Sequence, residues 1–395
     1  MGLGAVVSAE EQVLLAGIGW DHDRCMVPLR ASVAIYSAID PGVRITWATR
    51  SLKDFGDGNL EALSRDFDLL IFDHPYVGAA SLGGWLVDWA QVLPPARLEA
   101  LRRDSLGPCL DSYASAGGLW GLPIDAAAQV AAMRPDLLDR VVQRVPQTGG
   151  EVVQLAAELR AKGLWMALPS VPIDAVCTFL TLCANLGEAV PRTPDSFPSM
   201  SIVHQALELQ AELLSLSHPS SLIWNPIACY EHMSIHDDVP YVPFAFGYTN
   251  YSRASSRAKL QFANIPAFGQ CGVAGSILGG AGLGISSRCK HISAAARYGS
   301  FLASSDFQST EYTRSGGQPA SLTAWRSPAC DLQTGGYLHG TLETMTRSYL
   351  RPTFAGFVPY FKEAGERIHE YLARRQPLRA TAEWLELRFL ALASP

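Results

Sequence analysis

The sequence is poor in charge and contains no long apolar run. Charged residues make up 17 % of the 395 residues, and the formal net charge is −6. No cluster of Lys and Arg forms the basic footprint that attracts nucleic acid or an anionic membrane. No stretch approaches the ~18 consecutive apolar residues of a membrane-spanning helix. We therefore expect no nucleic-acid partner and no membrane span.

Several motifs of catalytic and cofactor sites are missing as well. The eight cysteines form no C-x-x-C pair, so a thiolate metal centre is not predicted. No G-x-S-x-G marks a nucleophilic serine. The glycine-rich GGAGLGI at 279–285 leads into a predicted strand instead of a helix, which is the wrong context for a dinucleotide-binding loop. We expect no metal and no cofactor.

The first residues lack the features of a secretory signal. MGLGAVVSAEEQ contains no Lys or Arg, and Glu10 and Glu11 interrupt its apolar residues. A signal needs a basic start, an unbroken apolar segment and a small-residue cleavage site. The scattered cysteines suit reduced thiols. These features predict a cytoplasmic protein, or a periplasmic one if the natural N-terminus has been trimmed.

The first third of the chain alternates between strand and helix patterns. Strands are predicted at 12–18, 42–49 and 68–73, with a helix at 28–40 between the first two. This order implies a parallel sheet with right-handed crossovers. Because 395 residues exceed the ~250–300 at which one core usually divides, we expect two lobes.

The remainder is richer in helices. An amphipathic helix is predicted at 201–217, and aromatic, strand-like segments follow at 239–253 and 259–266. Three helical patterns close the chain, near 335–350, 357–374 and 378–392. The order of these patterns along the chain is α/β, then helices, then strands, then helices again. This order indicates a chain that crosses between two lobes more than once.

Two apolar strands each end on an Asp-His pair. The first runs into Trp20, Asp21, His22 and Arg24, and the second runs into Asp73 and His74. In open α/β sheets, ligands bind at the carboxyl ends of strands, so both pairs could face one crevice. A histidine beside carboxylates can donate or accept a proton or contact a ligand. The alternative is structural: Asp21 or Asp23 caps the next helix, and His74 precedes Pro75 in an extended turn.

Other candidates lie where the sequence pattern changes. Asp125 follows Gly-Leu-Pro at the end of the α/β part, and it could contact a ligand or close a turn. Aromatic and amide side chains that could line an apolar pocket, or else pack in the core, are Trp224, Asn225, Tyr248 and Asn250. Gly279 and Gly280 provide backbone freedom or close approach to a ligand.

Three segments together resemble the bacterial extracellular solute-binding proteins, family 1, the ligand receptors of ABC importers. GGLWGLPIDAAAQVAAMRPDLLDR at 117–140 is similar to the first crossing of that family, with its Arg-x-Asp-Leu-Leu helix start. GGAGLGISSRCKHISAAARYGSFLASSDFQSTEY at 279–312 resembles the second crossing, and SGGQPA at 315–320 resembles the third.

The resemblance implies an α/β, periplasmic-binding-protein-like fold of type II. Its mixed sheets are flanked by helices, and its two lobes close by a hinge motion on a ligand held in the cleft between them. Lobe one would comprise 1–124 and about 285–320, and lobe two 125–284 and about 321–395. Carried over to this sequence, the residues at 20–24, 73–74, 125, 224–225, 248–250 and 279–280 would line the cleft.

Two functions follow. The first is a solute-binding protein that takes a small polar, sugar- or carboxylate-like metabolite, works as a monomer and serves an ABC permease if it is exported. Arg24 would favour a carboxylate or phosphate on the ligand, because its guanidinium offers a two-pronged donor. The second is a cytoplasmic lyase, isomerase or cyclase on the same fold. It would use His22 or His74, with Asp21 or Asp73, in acid–base chemistry.

Overall fold

A computed structural model describes residues 12–57, 59–141, 144–255 and 259–393. The N-terminal segment on which the localisation prediction depends therefore lies outside the described residues. In the described ranges, no helix combines the length and apolar character needed to cross a membrane.

One mixed sheet of seven strands organises the molecule. Its order is β2-β1-β3-β9-β6-β7, and β8 pairs with β6 beside that path; β4 and β5 form a separate two-stranded ribbon. The strand bounds are β1 Val13–Trp20, β2 Val43–Arg50, β3 Leu69–Phe72, β4 Ala114–Ser115, β5 Gly118–Leu119, β6 Leu122–Met133, β7 Tyr241–Phe246, β8 Gln261–Ala263 and β9 Leu278–Ile285.

Eighteen α-helices are assigned within the described ranges. Their bounds are α1 Asp23–Ile39, α2 Leu52–Asp57, α3 Leu60–Asp66, α4 Val77–Gly83, α5 Trp89–Val92, α6 Pro95–Arg103, α7 Pro135–Leu138, α8 Gly149–Ala161, α9 Pro172–Asn185, α10 Met200–Leu216, α11 Pro226–Ile235, α12 Ile292–Leu302, α13 Ser305–Phe307, α14 Leu322–Arg326, α15 Pro328–Gln333, α16 Tyr337–Thr346, α17 Phe357–Leu372 and α18 Leu378–Leu390. Short 3₁₀ turns lie among them, and one π-helical turn at Gln308–Tyr312 follows α13.

The predicted parallel unit is confirmed. β1 pairs in parallel with β2 and β3, and β9 then runs antiparallel to both β3 and β6. The helices α10, α16, α17 and α18 also lie where the sequence pattern predicted them. Apolar periodicity was sufficient for these elements because each has a single buried face.

The glycine-rich segment at 279–285 was wrongly predicted to precede a strand, because it is itself part of strand β9. Its glycines make room for aromatic rings that lie across the strand. A Cβ on Gly282 would come within 2.5 Å of the Tyr113 ring, and a Cβ on Gly279 within 2.7 Å of the Phe246 ring. Glycine here serves close packing of a strand, a use that strand propensities do not anticipate.

Helix α1 begins at Asp23, five residues before the predicted start at Pro28. His22 is its N-cap, and the imidazole Nδ1 accepts a hydrogen bond from the Arg24 N–H at 3.1 Å. Proline is most common in the first turn of a helix, which is why the sequence pattern placed the start too late.

Three large hydrophobic cores lie along the sheet. One packs β1, β2 and β3 against α1 and α12. The second packs β6 and β7 against α8, α9, α10, α17 and α18, and the third packs β6, β7 and β8 against α11, α14 and α16. The predicted lobe boundaries lie inside β6 at 124/125, in β9 at 284/285 and shortly after Pro319. These boundaries remain a prediction.

Candidate functional site

A cleft of about 190 Å³ opens beside β6 and β9. Seven of the residues predicted from the sequence line it: Trp20, Arg24, Asp73, Asp125, Tyr248, Gly279 and Gly280. The remaining lining residues were not predicted: Leu52, Phe55, Gly56, Pro75, Tyr76, Ala127, Ile173, Cys177, Phe246, Ala281, Arg351, Val358, Phe361 and Lys362.

The sheet brings these residues together. Trp20 is the last residue of β1, and Asp73 directly follows β3. Because β1 and β3 are parallel, their carboxyl ends share one edge, as the two Asp-containing stretches predicted. Asp125 in β6 lies beside Ala281 in β9, which brings the crossing strands to the same edge.

Gly280 permits a close approach between the two crossing strands. Its φ of +114° is a conformation that residues with side chains rarely adopt. A Cβ at this position would also meet the Asp125 carbonyl oxygen at 2.2 Å. Any larger residue would therefore force β6 and β9 apart at the cleft.

Arg24 and Asp125 form a buried ion pair at the base of the cleft. Arg24 Nε donates to Asp125 Oδ2 at 2.7 Å, and Nη2 donates to Oδ1 at 2.5 Å. Burial alone would lower the pKa of Arg24, but the facing carboxylate raises it above its usual value, so the guanidinium keeps its proton. Burial raises the pKa of Asp125, and Arg24 opposes this change.

The third nitrogen of Arg24 reaches across the cleft. Nη1 donates to the carbonyl of Gly247, just after β7, at 3.0 Å, and the guanidinium lies 4.8 Å from the centroid of the Tyr248 ring. Every nitrogen of the side chain therefore has a protein partner. The Nε and Nη2 edge of the guanidinium, which was expected to meet a ligand carboxylate, instead pairs with Asp125.

Gln318 ties the third chain crossing to the same place. Its Nε2 donates to the carbonyls of Ala126 and Gly247 and to the hydroxyl of Tyr337, at 2.7, 3.2 and 3.0 Å. Pro319 forms an isolated bridge with Asp125. The segments at Asp125, Gly280 and 318–319 thus lie side by side, because β6 pairs with β9 and Asp125 also pairs with Pro319.

Asp73 and Arg351 form a second ion pair in the lining of the cleft. Arg351 Nη2 lies 2.9 and 3.1 Å from the two carboxylate oxygens, and Arg351 Nε is buried without a hydrogen-bond partner. Although burial opposes the charge, Arg351 and His74 hold the pKa of Asp73 below its usual value. Arg351 was missed because it follows a helix near the C-terminus, with no motif around it.

His74 does not line the cleft. It is 1 % exposed, its Nδ1 lies 3.2 Å from Asp73 Oδ1, and its Nε2 has no hydrogen-bond partner. Burial, aided by the charge of Arg351, lowers the pKa of His74 to about 4. The imidazole is therefore neutral at physiological pH, and it supports Asp73 instead of facing a ligand.

His22 also lies outside the lining of the cleft, and its Nδ1 serves as the helix cap. The cap was predicted for Asp21 or Asp23, and the histidine between them takes that role instead. Its ring centroid lies 5.5 Å from that of Tyr248, a lining residue. Asp21 is exposed and is not among the lining residues.

Three further predicted contacts lie elsewhere. Trp224 stacks on the ring of His218, with centroids 4.7 Å apart. Asn225 is the N-cap of α11 and accepts a hydrogen bond from the N–H of Ala228. Asn250 sits in a 3₁₀ turn after Tyr248, where its Oδ1 is buried without a partner. Trp224 and Asn225 therefore have structural roles, in ring packing and in helix capping.

Aromatic side chains make up much of the wall that the sequence analysis missed. Phe55, Tyr76, Phe246 and Phe361 line the cleft beside Trp20. They come from four separate elements, so no local spacing could have grouped them. Together they give a mostly apolar wall with a few fixed polar groups, the usual composition of a small-molecule site.

Asp174 lies in the first turn of α9, beside the lining residues Ile173 and Cys177. It is 4 % exposed, and its Oδ2 has no hydrogen-bond partner. Burial raises the pKa of Asp174 to about 8. This carboxyl group is therefore largely protonated near neutral pH, which removes the cost of burying an unpaired charge.

No family model matches the chain, and no curated protein matches its sequence. Solved structures do match. Maltose-bound MalE3 of T. maritima superposes with a TM-score of 0.81 at 17 % identity, covering 96 % of this chain and 100 % of the other. A solute-binding protein of an ABC transporter from Agrobacterium radiobacter K84, in complex with ribitol, superposes with a TM-score of 0.81 at 17 % identity. The match covers 97 % of this chain and 99 % of the other.

A third structure, a solute-binding protein of an ABC transporter from Thermotoga lettingae bound with α-D-tagatose, has a TM-score of 0.78 at 14 % identity, covering 95 % of this chain and 100 % of the other. Likenesses at this level of identity establish the fold. The predicted architecture is thereby confirmed: the chain has the two-lobed α/β fold of the solute-binding proteins of ABC transporters.

Proposed function

We propose that this protein binds a small polar metabolite of the sugar or polyol class in its cleft and delivers it to an ABC permease. The observation that carries the proposal is the cleft itself, which combines an aromatic wall with two fixed ion pairs where three chain crossings meet. Its volume of about 190 Å³ is below the ~300–1,000 Å³ of sites for drug-sized ligands. This favours a ligand of monosaccharide size.

Aromatic walls and fixed polar groups suit such ligands. The C–H faces of a sugar or polyol pack on rings such as Trp20 and Phe361, and hydroxyl groups can pair with Asp73 and Arg351. The structural neighbours that carry maltose, ribitol and tagatose support the same ligand class. A carboxylate ligand loses support, since Arg24 is committed to Asp125.

The enzyme alternative has less support. Both histidines it required, His22 and His74, lie outside the lining of the cleft; Nδ1 of His22 caps a helix, and Nε2 of His74 is enclosed by the protein. A lyase or isomerase would need a proton-transferring group in reach of the ligand.

The receptor role carries three further proposals. The lobes are 1–124 with about 285–320, and 125–284 with about 321–395. The receptor acts as a monomer. It works outside the cytoplasmic membrane. The similarity to solute-binding proteins of ABC transporters supports this location over a cytoplasmic one. Fractionation of the native host tests the last point, and recovery only from the cytoplasm would contradict it.

A thermal-shift titration with the monosaccharide-sized ligands ribitol and tagatose tests ligand binding. A ligand that binds only the folded state raises the melting temperature. Ile173 lines the cleft yet is 47 % exposed, so Ile173→Trp fills the cleft without disturbing a core. We expect a shift in the wild type, its loss in Ile173→Trp, and its retention in Ile39→Trp, a matched change at an isoleucine that is 60 % exposed outside the cleft.

No shift with any member of a broader sugar and polyol panel would overturn the proposal. An equal shift in Ile173→Trp would place the ligand elsewhere. Mass spectrometry of a bound ligand after incubation distinguishes the two functions, because a receptor returns its ligand unchanged.

A further inference from the structure

A cluster of two imidazoles and a carboxylate lies away from the cleft. His218 caps a 3₁₀ turn after α10, His232 is in α11, and Asp238 precedes β7. The imidazole Nε2 of His232 lies 2.7 Å from Asp238 Oδ1, and Nε2 of His218 lies 3.7 Å from Asp238 Oδ2. One ligand atom from each of the three residues lies within 4.8 Å of the others.

We propose that His218, His232 and Asp238 form a binding site for a divalent transition-metal ion, with Zn²⁺ as the occupant that suits them best. Two imidazoles and one carboxylate are a donor set that zinc accepts. Four-coordinate zinc with bonds of ~2.0–2.2 Å needs ligand atoms ~3.3 Å apart. The separations of 2.7 and 3.7 Å, with all three atoms within 4.8 Å of one another, lie around that value, and small side-chain movements reach it.

The surrounding packing fixes these side chains before an ion binds. The Trp224 ring lies 4.7 Å from the His218 ring at an angle of 5°, and 4.6 Å from the His232 ring. The backbone is held as well, because the N–H of Trp165 donates to the Asp238 carbonyl and the N–H of His218 donates to the Met166 carbonyl, both at 2.8 Å. Ligands on rigid supports lose little freedom on binding.

The site is accessible to an ion from solvent. The side chains of His218, His232 and Asp238 are 17, 18 and 39 % exposed. Three protein ligands leave a fourth position of zinc for water. His236, four residues after His232, stacks on its ring with centroids 4.4 Å apart, so a third imidazole lies next to the cluster.

Binding requires a proton to leave Nε2 of each imidazole. The Nε2 of His232, 2.7 Å from Asp238 Oδ1, donates to that carboxylate. The Nδ1 of His218 accepts a hydrogen bond from the N–H of Ser220 at 3.1 Å, so this ring also carries its proton on Nε2 in the metal-free protein. Coordination through both Nε2 atoms shifts each ring to its Nδ1–H form, and the Ser220–His218 hydrogen bond is given up. The ion thus replaces the His232–Asp238 hydrogen bond and one backbone hydrogen bond by metal–ligand bonds. It also joins three segments that lie between α10 and β7.

Calorimetric titration of the untagged full-length chain with Zn²⁺ tests this site. We expect one equivalent to bind, and both His232→Gln and Asp238→Asn to weaken the affinity by at least about tenfold, the loss that disturbance of even an outer partner causes. His339→Gln, which changes an exposed histidine outside the cluster, serves as the control and should bind like the wild type.

A second readout uses the position of Trp224 against both imidazoles. Cu²⁺, which binds such donors more tightly than Zn²⁺, should quench part of the tryptophan emission. Trp224→Phe should lose much of that quenching and still bind Zn²⁺. Absence of Zn²⁺ binding, or equal affinity in the wild type and Asp238→Asn, would overturn the proposal. Neither result affects the proposed function, since none of the three residues lines the cleft.

Discussion

Arg24 offers the sharpest test of how the cleft is built. Its side chain is 5 % exposed and that of Asp125 is 1 % exposed, so the pair has almost no contact with water. Arg24→Met keeps much of the apolar stem and removes the charge and three hydrogen bonds. Asp125 is then left as a buried carboxylate without a cation. Removing one partner of such a pair costs about 3–5 kcal/mol.

The free energy of unfolding is measured by urea titration with tryptophan fluorescence. Arg24→Met should lower it by about 3–5 kcal/mol. The double variant Arg24→Met/Asp125→Asn should lose less than the two single losses added together, because it removes the stranded charge as well. The control is Arg379→Met at the exposed Arg379–Glu383 pair, where a change within about 0.5 kcal/mol is expected.

Two results would refute this reasoning. A loss below about 1 kcal/mol in Arg24→Met would mean that Asp125 finds other partners or takes up a proton at little cost. Strict additivity of the single losses would mean that the two side chains are not energetically coupled.

Three further predictions concern single residues. The pKa of His74 is about 4 in the folded protein and near 6.5 in the unfolded chain. The free energy of unfolding should therefore fall by about 3 kcal/mol as the pH drops from 6.5 to 4. In urea titrations at several pH values, His74→Asn should make this fall smaller. Because the pKa of Asp174 is raised to about 8, stability should decline as the pH rises from about 4 to 8, so Asp174→Asn should raise the melting temperature at pH 7.5. Gly280→Ala should lower the free energy of unfolding by more than the ~1–3 kcal/mol of φ strain alone, because its Cβ would also meet the Asp125 carbonyl. Gly187 has a φ of +113° and open space around it, so Gly187→Ala should cost only the φ strain.

Each of these predictions has a contradicting outcome. An unchanged acid slope in His74→Asn would assign the slope to other groups. A lower melting temperature in Asp174→Asn would mean that the Asp174 carboxyl group is ionised in the folded protein and stabilised by interactions with its neighbours. Equal losses in Gly280→Ala and Gly187→Ala would show that the contact with the Asp125 carbonyl relaxes without cost.

Local patterns in the sequence determined a large part of this protein. Alternation of strands and helices predicted the parallel arrangement of β1, β2 and β3, and helical periodicity predicted α10, α17 and α18. Because parallel strands share their carboxyl edge, sequence order alone placed Trp20, Arg24 and Asp73 near one another. These conclusions depend on interactions between near neighbours, or on the direction of strands, and both can be read along the chain.

Tertiary structure alone decided how the predicted residues are used. Arg24 meets Asp125 across 101 residues, and Asp73 meets Arg351 across 278; no local spacing encodes such partners. His22 and His74, polar and next to acids in the sequence, became a helix cap and a buried neutral support, because hydrogen-bond partners and burial set the role of an imidazole. The aromatic wall likewise comes from elements far apart in the chain. The types of residue along the chain were sufficient to predict where the site lies. The chemistry of the site depends on which residues these side chains contact in the folded protein.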